Sequence, residues 1–145
     1  MKFSLLVLAS LMTVALLMAS DGQPQVTFVG HDKVEAALAK GGSMVRASDL
    51  IVMASHRTAP GKVEVHEKET DIIHVIDGEA TFVTGGKMIG GKVSAPGQWL
   101  GEEIQGGEEH HLVKDDVIVI PAGIPHWYKA VPNSISYMVV KVVKQ

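Results

Sequence analysis

Residues 65–82, "VHEKETDIIHVIDGEATF", begin as a run of charged residues and end as an alternation of apolar and polar ones. Asp77-Gly78 interrupts the alternation, and an Asp-Gly pair between alternating apolar residues is a strong signal for a two-residue hairpin turn. We therefore predict two strands, 71–76 and 79–84, joined by this turn. The preceding residues 67–70, "EKET", are expected to form a solvated turn.

Ionisable side chains around this stretch fall at positions that bring them together. Residues two apart on a strand project from the same face, so Glu64 and His66 point the same way, about 7 Å apart. Asp71 opens the next strand and can return to that face. His74 lies three residues further on and faces the opposite way unless a bulge intervenes. Histidine nitrogens and carboxylate oxygens meeting from adjacent strands suit Zn, Fe, Mn or Ni.

A second stretch, residues 117–127 or "VIVIPAGIPHW", contains another ligand candidate, His126. A strand runs into a Pro-Ala-Gly turn, and His126 then begins the next strand at a fixed place. His110 and His111 lie just before this stretch. Two adjacent residues of a strand cannot both point inward, so at most one of them reaches an interior site. His110, His111 and His74 are therefore ligand candidates of lower rank than His126.

The remaining pattern predicts an all-β protein with one short helix. Residues 31–40 have helical spacing and are followed by Gly41-Gly42, which end the helix. From residue 50 onward, short runs with a period of two alternate with glycine and proline, as in a sandwich or barrel. The glycine-rich residues 87–108 are expected to form an excursion with one or two short strands. The other predicted strands are 50–55, 62–66, 110–113, 117–120, 126–131 and 135–143.

The N-terminus predicts export. Residues 1–20 combine a short basic start, an uninterrupted apolar run and small residues at the end, which is the layout of a secretory signal peptide. The apolar run of residues 5–18 is short for a membrane span, which needs about 20 residues. We expect a periplasmic or extracellular protein with no membrane contact after cleavage. Its N-terminal arm would cover residues 21–49 and its barrel residues 50–145.

Charge and cysteine content narrow the partners and the chemistry. The formal net charge is −3, and it becomes −4 when Lys2 leaves with the leader. No cluster of lysine and arginine stands out, which disfavours nucleic-acid binding. The sequence has no cysteine, so disulfides and thiolate metal sites are excluded. A metal ion would have to be bound by histidines and carboxylates.

Residues 64–78 resemble the first motif of the cupin superfamily, G(X)5HXH(X)3–4E(X)6G, and residues 74–86, "HVIDGEATFVTGG", also resemble cupin sequences. When the last glycine of the motif is placed on Gly78, Asp71 takes the glutamate position. His66 then takes the second histidine position and Glu64 the first. Two of the four family ligands are thus replaced by other carboxylates.

Residues 115–127, "DDVIVIPAGIPHW", are similar to the second cupin motif, G(X)5PXG(X)2H(X)3N. Pro121, Gly123 and His126 match it. Asp115 stands where the leading glycine usually lies, and Ala130 stands where the asparagine would be. The resemblance covers residues 50–143 and implies a single-domain cupin, which is a double-stranded β-helix or jelly-roll barrel.

The resemblance also implies a mononuclear metal site formed by His66, His126, Glu64 and Asp71. The cofactor would be a divalent ion, Fe, Mn, Ni or Zn, and the partner a small molecule. Asp71 is one methylene shorter than the family's glutamate, and it has an alternative role in orienting His66 by accepting its second N–H. Both histidines also have an alternative role as barrel-lining residues hydrogen-bonded to neighbours.

Cupins include oxygenases, isomerases and lyases, so the resemblance leaves the reaction open. The alternative is a non-catalytic cupin that binds a small molecule or a metal ion. Single-domain cupins commonly pair, which implies a homodimer. The apolar residues 135–140, "ISYMVV", are expected at a sheet edge that a second copy would cover.

Overall fold

The structure is a computed structural model that describes residues 25–144, so the predicted leader of residues 1–20 lies outside the described residues. Within residues 25–144, no helix has the length and apolar character needed to cross a membrane. The one helix of this range, α1 (His31–Lys40), has the predicted bounds. It ends at Gly41, whose φ of 75° favours glycine and whose N–H bonds the Ala37 carbonyl.

The remaining elements are strands of 3 to 16 residues, which confirms the prediction of an all-β fold with one short helix. In chain order they are β1 (Gly42–Arg46), β2 (Leu50–Arg57), β3 (Val63–His66), β4 (Glu69–Thr84), β5 (Lys87–Ile89), β6 (Lys92–Ala95), β7 (Gln98–Gly101), β8 (Glu103–Gln105), β9 (Glu108–Val113), β10 (Val117–Ile120), β11 (His126–Ala130) and β12 (Ile135–Val143).

Ten of the strands form two antiparallel sheets that share β4, and β5 pairs with β8 in a separate two-stranded sheet. In the first sheet the order is β1, β2, β12, the first half of β4, and β10. In the second sheet it is β9, the second half of β4, β11, β3, β7 and β6. The two sheets enclose one interior, and this arrangement is the jelly-roll form of the double-stranded β-helix.

The predicted hairpin at Asp77-Gly78 is wrong, because β4 continues through these residues. Residues 69–78 pair with β12, whereas residues 79–84 pair with β9 and β11. Ile76 is left without a register partner in a bulge, which bends the strand. Gly78 has a φ of 81°, and a Cβ there would lie 2.0 Å from the backbone oxygen of Ser134. The Asp-Gly pair is thus a corner between the sheets.

An apolar core fills part of the interior between the two sheets. Phe82, Val75 and Ile135 are fully buried in it. Its members come from both sheets because inward residues alternate along each strand. We call this set the apolar core: Ile73, Val75, Ala80, Phe82, Leu112, Ile120, Tyr128, Val131, Ile135, Tyr137 and Val139.

Two further expectations need correction. Residues 87–108 contain the four short strands β5 to β8, more than the one or two expected. Ile104 of this segment packs with Val83 and Val63, on the side of the second sheet away from Phe82. The C-terminal strand β12 lies between β2 and β4, so "ISYMVV" is not at a sheet edge. The apolar character of β12 fits this central position, where the strand is hydrogen-bonded to a neighbour on each side and has no free edge.

Candidate metal centre

Strand register brings the ionisable side chains together in facing pairs. His126 at the start of β11 lies opposite Glu64 on β3. Lys141 on β12 lies opposite Asp71 at the start of β4. Side chains opposite each other in an antiparallel pair are close enough to interact. Three separate parts of the sequence, residues 64–71, residue 126 and residue 141, therefore meet at one place.

The turn before β11 holds His126 in position. The N–H of Gly123 donates to the His66 carbonyl at 2.8 Å, and the N–H of Ala122 donates to the Thr70 hydroxyl at 3.3 Å. Gly123 has a φ of 85°, a conformation that favours glycine. The Pro-Ala-Gly turn is thus attached to β3 and to the start of β4, and the next strand begins beside them.

Glu64, His66 and His126 each present one ligand atom to a common point, and these atoms lie within 4.8 Å of one another. His66 and His126 are buried, and Glu64 is half-buried. The Nε2 atom of His66 lies 3.5 Å from Glu64 Oε2 and 3.5 Å from Asp71 Oδ2. The Nε2 atom of His126 lies 3.8 Å from the same Asp71 oxygen. We call Glu64, His66, Glu69, Asp71, His126 and Lys141 the polar cluster.

Gln98 determines which nitrogen of His66 carries the proton. The Gln98 amide donates to Glu69 Oε1 at 3.0 Å, so its carbonyl oxygen faces His66 Nδ1. A carbonyl oxygen only accepts, and Nδ1 must therefore be the protonated nitrogen. In the neutral ring Nε2 then has a lone pair directed into the cluster. Gln98 can hold this orientation because β7 places it opposite His66.

The ring of His126 is held in the same way. Its Nδ1 atom donates to the Ile124 carbonyl at 3.0 Å, which leaves the Nε2 lone pair facing Asp71. Burial lowers the pKa of His126 below its ordinary value, so the ring is neutral at neutral pH. Metal-binding histidines usually have their other ring nitrogen bonded to a carbonyl or carboxylate. Both histidines of the cluster satisfy this condition.

The carboxylates govern the charge at His66. Burial works against its charged form, but Glu64 and Asp71 outweigh burial and hold the pKa of His66 above its ordinary value. Burial would likewise raise the pKa of Glu64, but His66, His126 and Arg57 hold it below the usual range. The Glu64 carboxylate is therefore ionised at neutral pH and attracts positive charge to His66 Nε2. Either a proton or a metal ion bound at His66 Nε2 would supply that charge.

Asp71 already has a cationic partner. Lys141 Nζ donates to its two oxygens at 2.8 and 2.9 Å and lies 3.1 Å from Glu69 Oε2. Asp71 is 4% exposed, and a buried carboxylate without a partner would be costly. The lysine thus neutralises Asp71 and would compete with a metal ion for its oxygens. Glu64 lacks such a close partner, because Arg57 Nη2 is 3.4 Å away.

The cluster fits a divalent cation on an observation independent of the family motif. His66 Nε2 is buried and has no hydrogen-bond partner among residues 25–144. A buried polar atom without a partner is rare in folded proteins and calls for an explanation. A cation bound between this nitrogen, His126 Nε2 and the Glu64 carboxylate would supply the missing partner.

A cavity of about 190 Å³ opens onto the cluster. Its lining includes Glu64, Asp71, His126 and Lys141 of the polar cluster. Apolar side chains, among them Met53, also line it. The remaining lining residues are Ser55, Arg57, Lys62, Ile73, Trp127, Tyr128, Tyr137 and Val139. A small molecule in this cavity would contact both the metal-ligand candidates and an apolar wall.

The structure does not bring the lower-ranked histidines into the cluster. His74 is exposed on the face opposite to Asp71, as its position along β4 predicts. His110 Nε2 bonds the Thr84 hydroxyl at 2.9 Å. His111 is exposed, and its Nε2 lies 3.2 Å from Glu79. None of these three is in a group of potential metal ligands within the described part of the chain.

Sequence reasoning missed Gln98, Lys141, Arg57 and Glu69. Glu69 was expected in a solvated turn, but it opens β4 and is half-buried against Lys141. Lys141 had one signal, because a charged residue within the apolar run of β12 needs a buried partner. Gln98 had none, since the glycine-rich segment around it shows no regular alternation.

No protein-family model matches this chain, and no curated protein matches it in sequence. Solved structures do match it. BH2720 from Bacillus halodurans is 14% identical with a TM-score of 0.58, over 87% of this chain and 86% of that one. A cupin superfamily protein from Desulfitobacterium hafniense is 12% identical with a TM-score of 0.52, over 72% and 77%. The cupin domain of Cnp3 from Schizosaccharomyces pombe is 10% identical with a TM-score of 0.53, over 72% and 61%.

These similarities establish the architecture of the chain. The protein has the cupin fold, a double-stranded β-helix, as the two sequence motifs predict. At such low identity the fold carries no information about the reaction, because one fold hosts many activities. The function has to be argued from the polar cluster and its cavity.

Proposed function

We propose that this protein is a metal-dependent cupin that holds one divalent ion through Glu64, His66 and His126 and acts on a small molecule in the adjoining cavity. The observation that carries the proposal is the buried His66 Nε2 atom, which has no partner among residues 25–144 and faces two carboxylates. Two neutral imidazoles and one carboxylate suit Fe, Mn, Ni or Zn.

A divalent ion at such a site supplies a Lewis acid for a bound carbonyl or, for iron, a centre for oxygen chemistry. The chain's own residues set up the site around it. Gln98 and the Ile124 carbonyl fix the two rings, and the ionised Glu64 provides negative charge. Asp71 and Lys141 lie at the cavity wall as a carboxylate and an ammonium group that can hold or move a proton. This set supports an oxygenase or an isomerase or lyase.

One observation favours a second candidate, a non-catalytic barrel that binds a small molecule without metal. Lys141 compensates Asp71 and Glu69, and Arg57 lies near Glu64. Each buried carboxylate thus has a cationic neighbour even when no metal ion is bound. The two candidates differ in what His66 Nε2 binds, a metal ion or a proton.

Metal titration by calorimetry tests the proposal. His66→Ala and His126→Ala should each abolish stoichiometric binding of Ni²⁺ or Mn²⁺, because each removes one of three ligands. His74→Ala is the matched control and should bind like the wild type, since its ring faces away from the cluster. Circular dichroism of each variant monitors the fold.

Unchanged affinity in both His66→Ala and His126→Ala would end the metal proposal and leave the metal-free barrel. Elemental analysis provides an independent measurement on protein purified without chelators or a metal-affinity tag. Stoichiometric Fe, Mn, Ni or Zn supports the metal-dependent candidate, and the absence of metal supports the second one.

Export and pairing of two copies belong to the same proposal. The signal-peptide layout of residues 1–20 supports export, and N-terminal sequencing of the exported protein should find a start close after Ser20. The exposed edge of the first sheet supports a homodimer. Strand β10 pairs only with β4 among residues 25–144, and its Val117 and Val119 are 61% and 56% exposed. A monomer in light scattering at micromolar concentration would contradict pairing.

A further inference from the structure

Three cations line the cavity, the exposed Lys62 and the half-buried Arg57 and Lys141. The two half-buried cations differ in how their hydrogen bonds are used. Lys141 has three N–H donors, and Asp71 and Glu69 occupy them at 2.8 to 3.1 Å. Arg57 has five N–H donors. Its Nε donates to Tyr137 Oη at 2.8 Å, and one Nη2 contact to Glu64 is long at 3.4 Å. Within residues 25–144 Nη1 has no hydrogen-bond acceptor, so Arg57 is the half-buried cation of the cavity with donors to spare.

The fold holds the Arg57 guanidinium in a fixed place. Its carbon lies 4.8 Å from the centre of the Tyr128 ring, within the range of a cation–π contact. Arg57 ends β2, and Met53 and Ser55 of the same strand line the same cavity at two-residue intervals. A guanidinium that rests on the Tyr128 ring and donates through Nε to Tyr137 is pre-organised for planar, two-pronged binding of a carboxylate.

A second polar group beside Arg57 lacks a partner. Tyr128 Oη is buried and has no hydrogen-bond partner among residues 25–144. Tyr128 is one of the residues that line the cavity. Because a buried hydroxyl without a partner is costly, an acceptor atom entering the cavity next to Arg57 would remove that cost.

Glu64 links this position to the candidate metal centre. Its Oε1 atom faces Arg57 Nη2 and its Oε2 atom faces His66 Nε2. Arg57 Nη2 and the candidate metal position are therefore separated by little more than one carboxylate group, and Nη1, with the spare donors, is bonded to the same guanidinium carbon as Nη2. A ligand that touches both needs two oxygen functions only a few bonds apart. At about 190 Å³ the cavity is smaller than the roughly 300–1,000 Å³ of drug-sized pockets.

We propose that the cavity binds a short-chain carboxylic acid with a neighbouring hydroxyl or carbonyl oxygen, and that Arg57 anchors its carboxylate. The second oxygen faces the centre formed by Glu64, His66 and His126, and the short apolar remainder packs against Met53, Ile73 and Val139. This inference rests on the proposed function for the role of the second oxygen. The Arg57 anchor itself depends only on the residues of the cavity.

Calorimetry with two- to five-carbon 2-hydroxy and 2-oxo acids tests the inference, with the neutral amide of each acid as its matched ligand. The protein is titrated with and without Ni²⁺, in buffer free of carboxylate and phosphate. At least one acid should bind more tightly than its amide. Arg57→Gln should weaken that acid by about 10- to 100-fold, because a charge-assisted hydrogen bond is lost. Arg46→Gln removes an exposed arginine of β1 and should leave the affinity unchanged.

Tyr128→Phe provides a second variant that keeps the ring under Arg57. It should weaken the acid by about 2- to 10-fold through loss of one neutral hydrogen bond. Circular dichroism and Ni²⁺ titration of every variant separate a lost anchor from a lost fold or a lost metal site.

The outcomes separate the two proposals. If Ni²⁺ fails to bind and the acid still needs Arg57, the anchor stands and the metal proposal fails. If Ni²⁺ binds but every acid and its amide bind equally, the anchor is overturned and the metal proposal stands. Equal affinity of the acid for the wild type and Arg57→Gln also overturns the anchor.

Discussion

The apolar core and the polar cluster occupy one barrel interior, but burial affects their stability in different ways. The core closes by burying Phe82, Val75 and Ile135, and each of these gains stability simply by leaving water. The polar cluster gains little from burial, because every charge taken from water needs a partner. Two buried atoms still lack one within residues 25–144, His66 Nε2 and Tyr128 Oη. His66 Nε2 lies in the polar cluster, and Tyr128 lines the cavity beside it.

This difference indicates that the polar cluster and its cavity lower the stability of the fold while they allow it to bind a ligand. Core residues that do not line the cavity, such as Phe82, Val75 and Ile135, have no part in the proposed binding and contribute through packing. The orphaned atoms destabilise the protein when it binds nothing, and a ligand or metal ion that satisfies them stabilises it. Substitutions of core residues away from the cavity should therefore act on folding, whereas substitutions in the cluster or the cavity wall should change stability and binding in different directions.

The largest effect is expected in the apolar core. Phe82→Ala removes a fully buried ring and should lower the free energy of unfolding by about 3–5 kcal/mol, from lost burial and the cavity left behind. Val93→Ala, at an exposed position of β6, is the control and should change it by no more than about 0.5 kcal/mol. Urea unfolding monitored by circular dichroism measures both. Similar losses in the two variants would contradict this view of the core.

The next largest effect is expected from substitution of Lys141, which should lower the free energy of unfolding but raise the affinity for Ni²⁺. Lys141→Met leaves Asp71 and Glu69 without their cation and should lower the free energy of unfolding of metal-free protein by about 3 kcal/mol. The same change frees the Asp71 carboxylate, so the affinity for Ni²⁺ should rise. Lys129→Met breaks an exposed pair with Glu109 and should cost about 1 kcal/mol or less. Weaker Ni²⁺ binding in Lys141→Met would show that the lysine does not compete with the metal.

A smaller effect is expected from Gln98. Gln98→Leu removes the acceptor that fixes His66 Nδ1, and the affinity for Ni²⁺ should fall by about 10- to 100-fold, as for other residues that orient a ligand histidine. Gln105→Leu, an exposed glutamine of β8, is the control and should bind like the wild type. The measurement is calorimetric titration. An unchanged affinity in Gln98→Leu would mean that burial alone holds the ring.

The smallest effect compares two tyrosines of the cavity. Tyr128→Phe removes a hydroxyl with no partner and should raise the free energy of unfolding of ligand-free protein by about 1 kcal/mol. Tyr137→Phe removes the acceptor of Arg57 Nε and should lower it by a similar amount, about 1 kcal/mol. Thermal unfolding resolves the two signs. Destabilisation by both variants would place the Tyr128 hydroxyl in a structural hydrogen bond and remove it from the binding site.

Much of the fold and part of the site could be predicted from the sequence. The alternation of Glu64 and His66 placed both on one face, and the Pro-Ala-Gly turn placed His126 at the start of a strand near them. The bounds of α1 followed from helical spacing and two glycines. These features depend on neighbours in the chain, and backbone geometry fixes their consequences locally. The motif match added the jelly roll, which the structural similarities confirm.

Tertiary structure decided what depends on strand pairing. Asp77-Gly78 has the local signature of a hairpin, yet β4 continues through it with a bend, because its two halves pair with β12 and with β9 and β11. Lys141 reaches Asp71 only because β12 pairs with β4 across 70 residues of sequence. A period of two tells which face a side chain takes but not which strand lies beside it. The metal-ligand candidates were therefore visible in the sequence, whereas their competing lysine and the spare donors of Arg57 required the folded barrel.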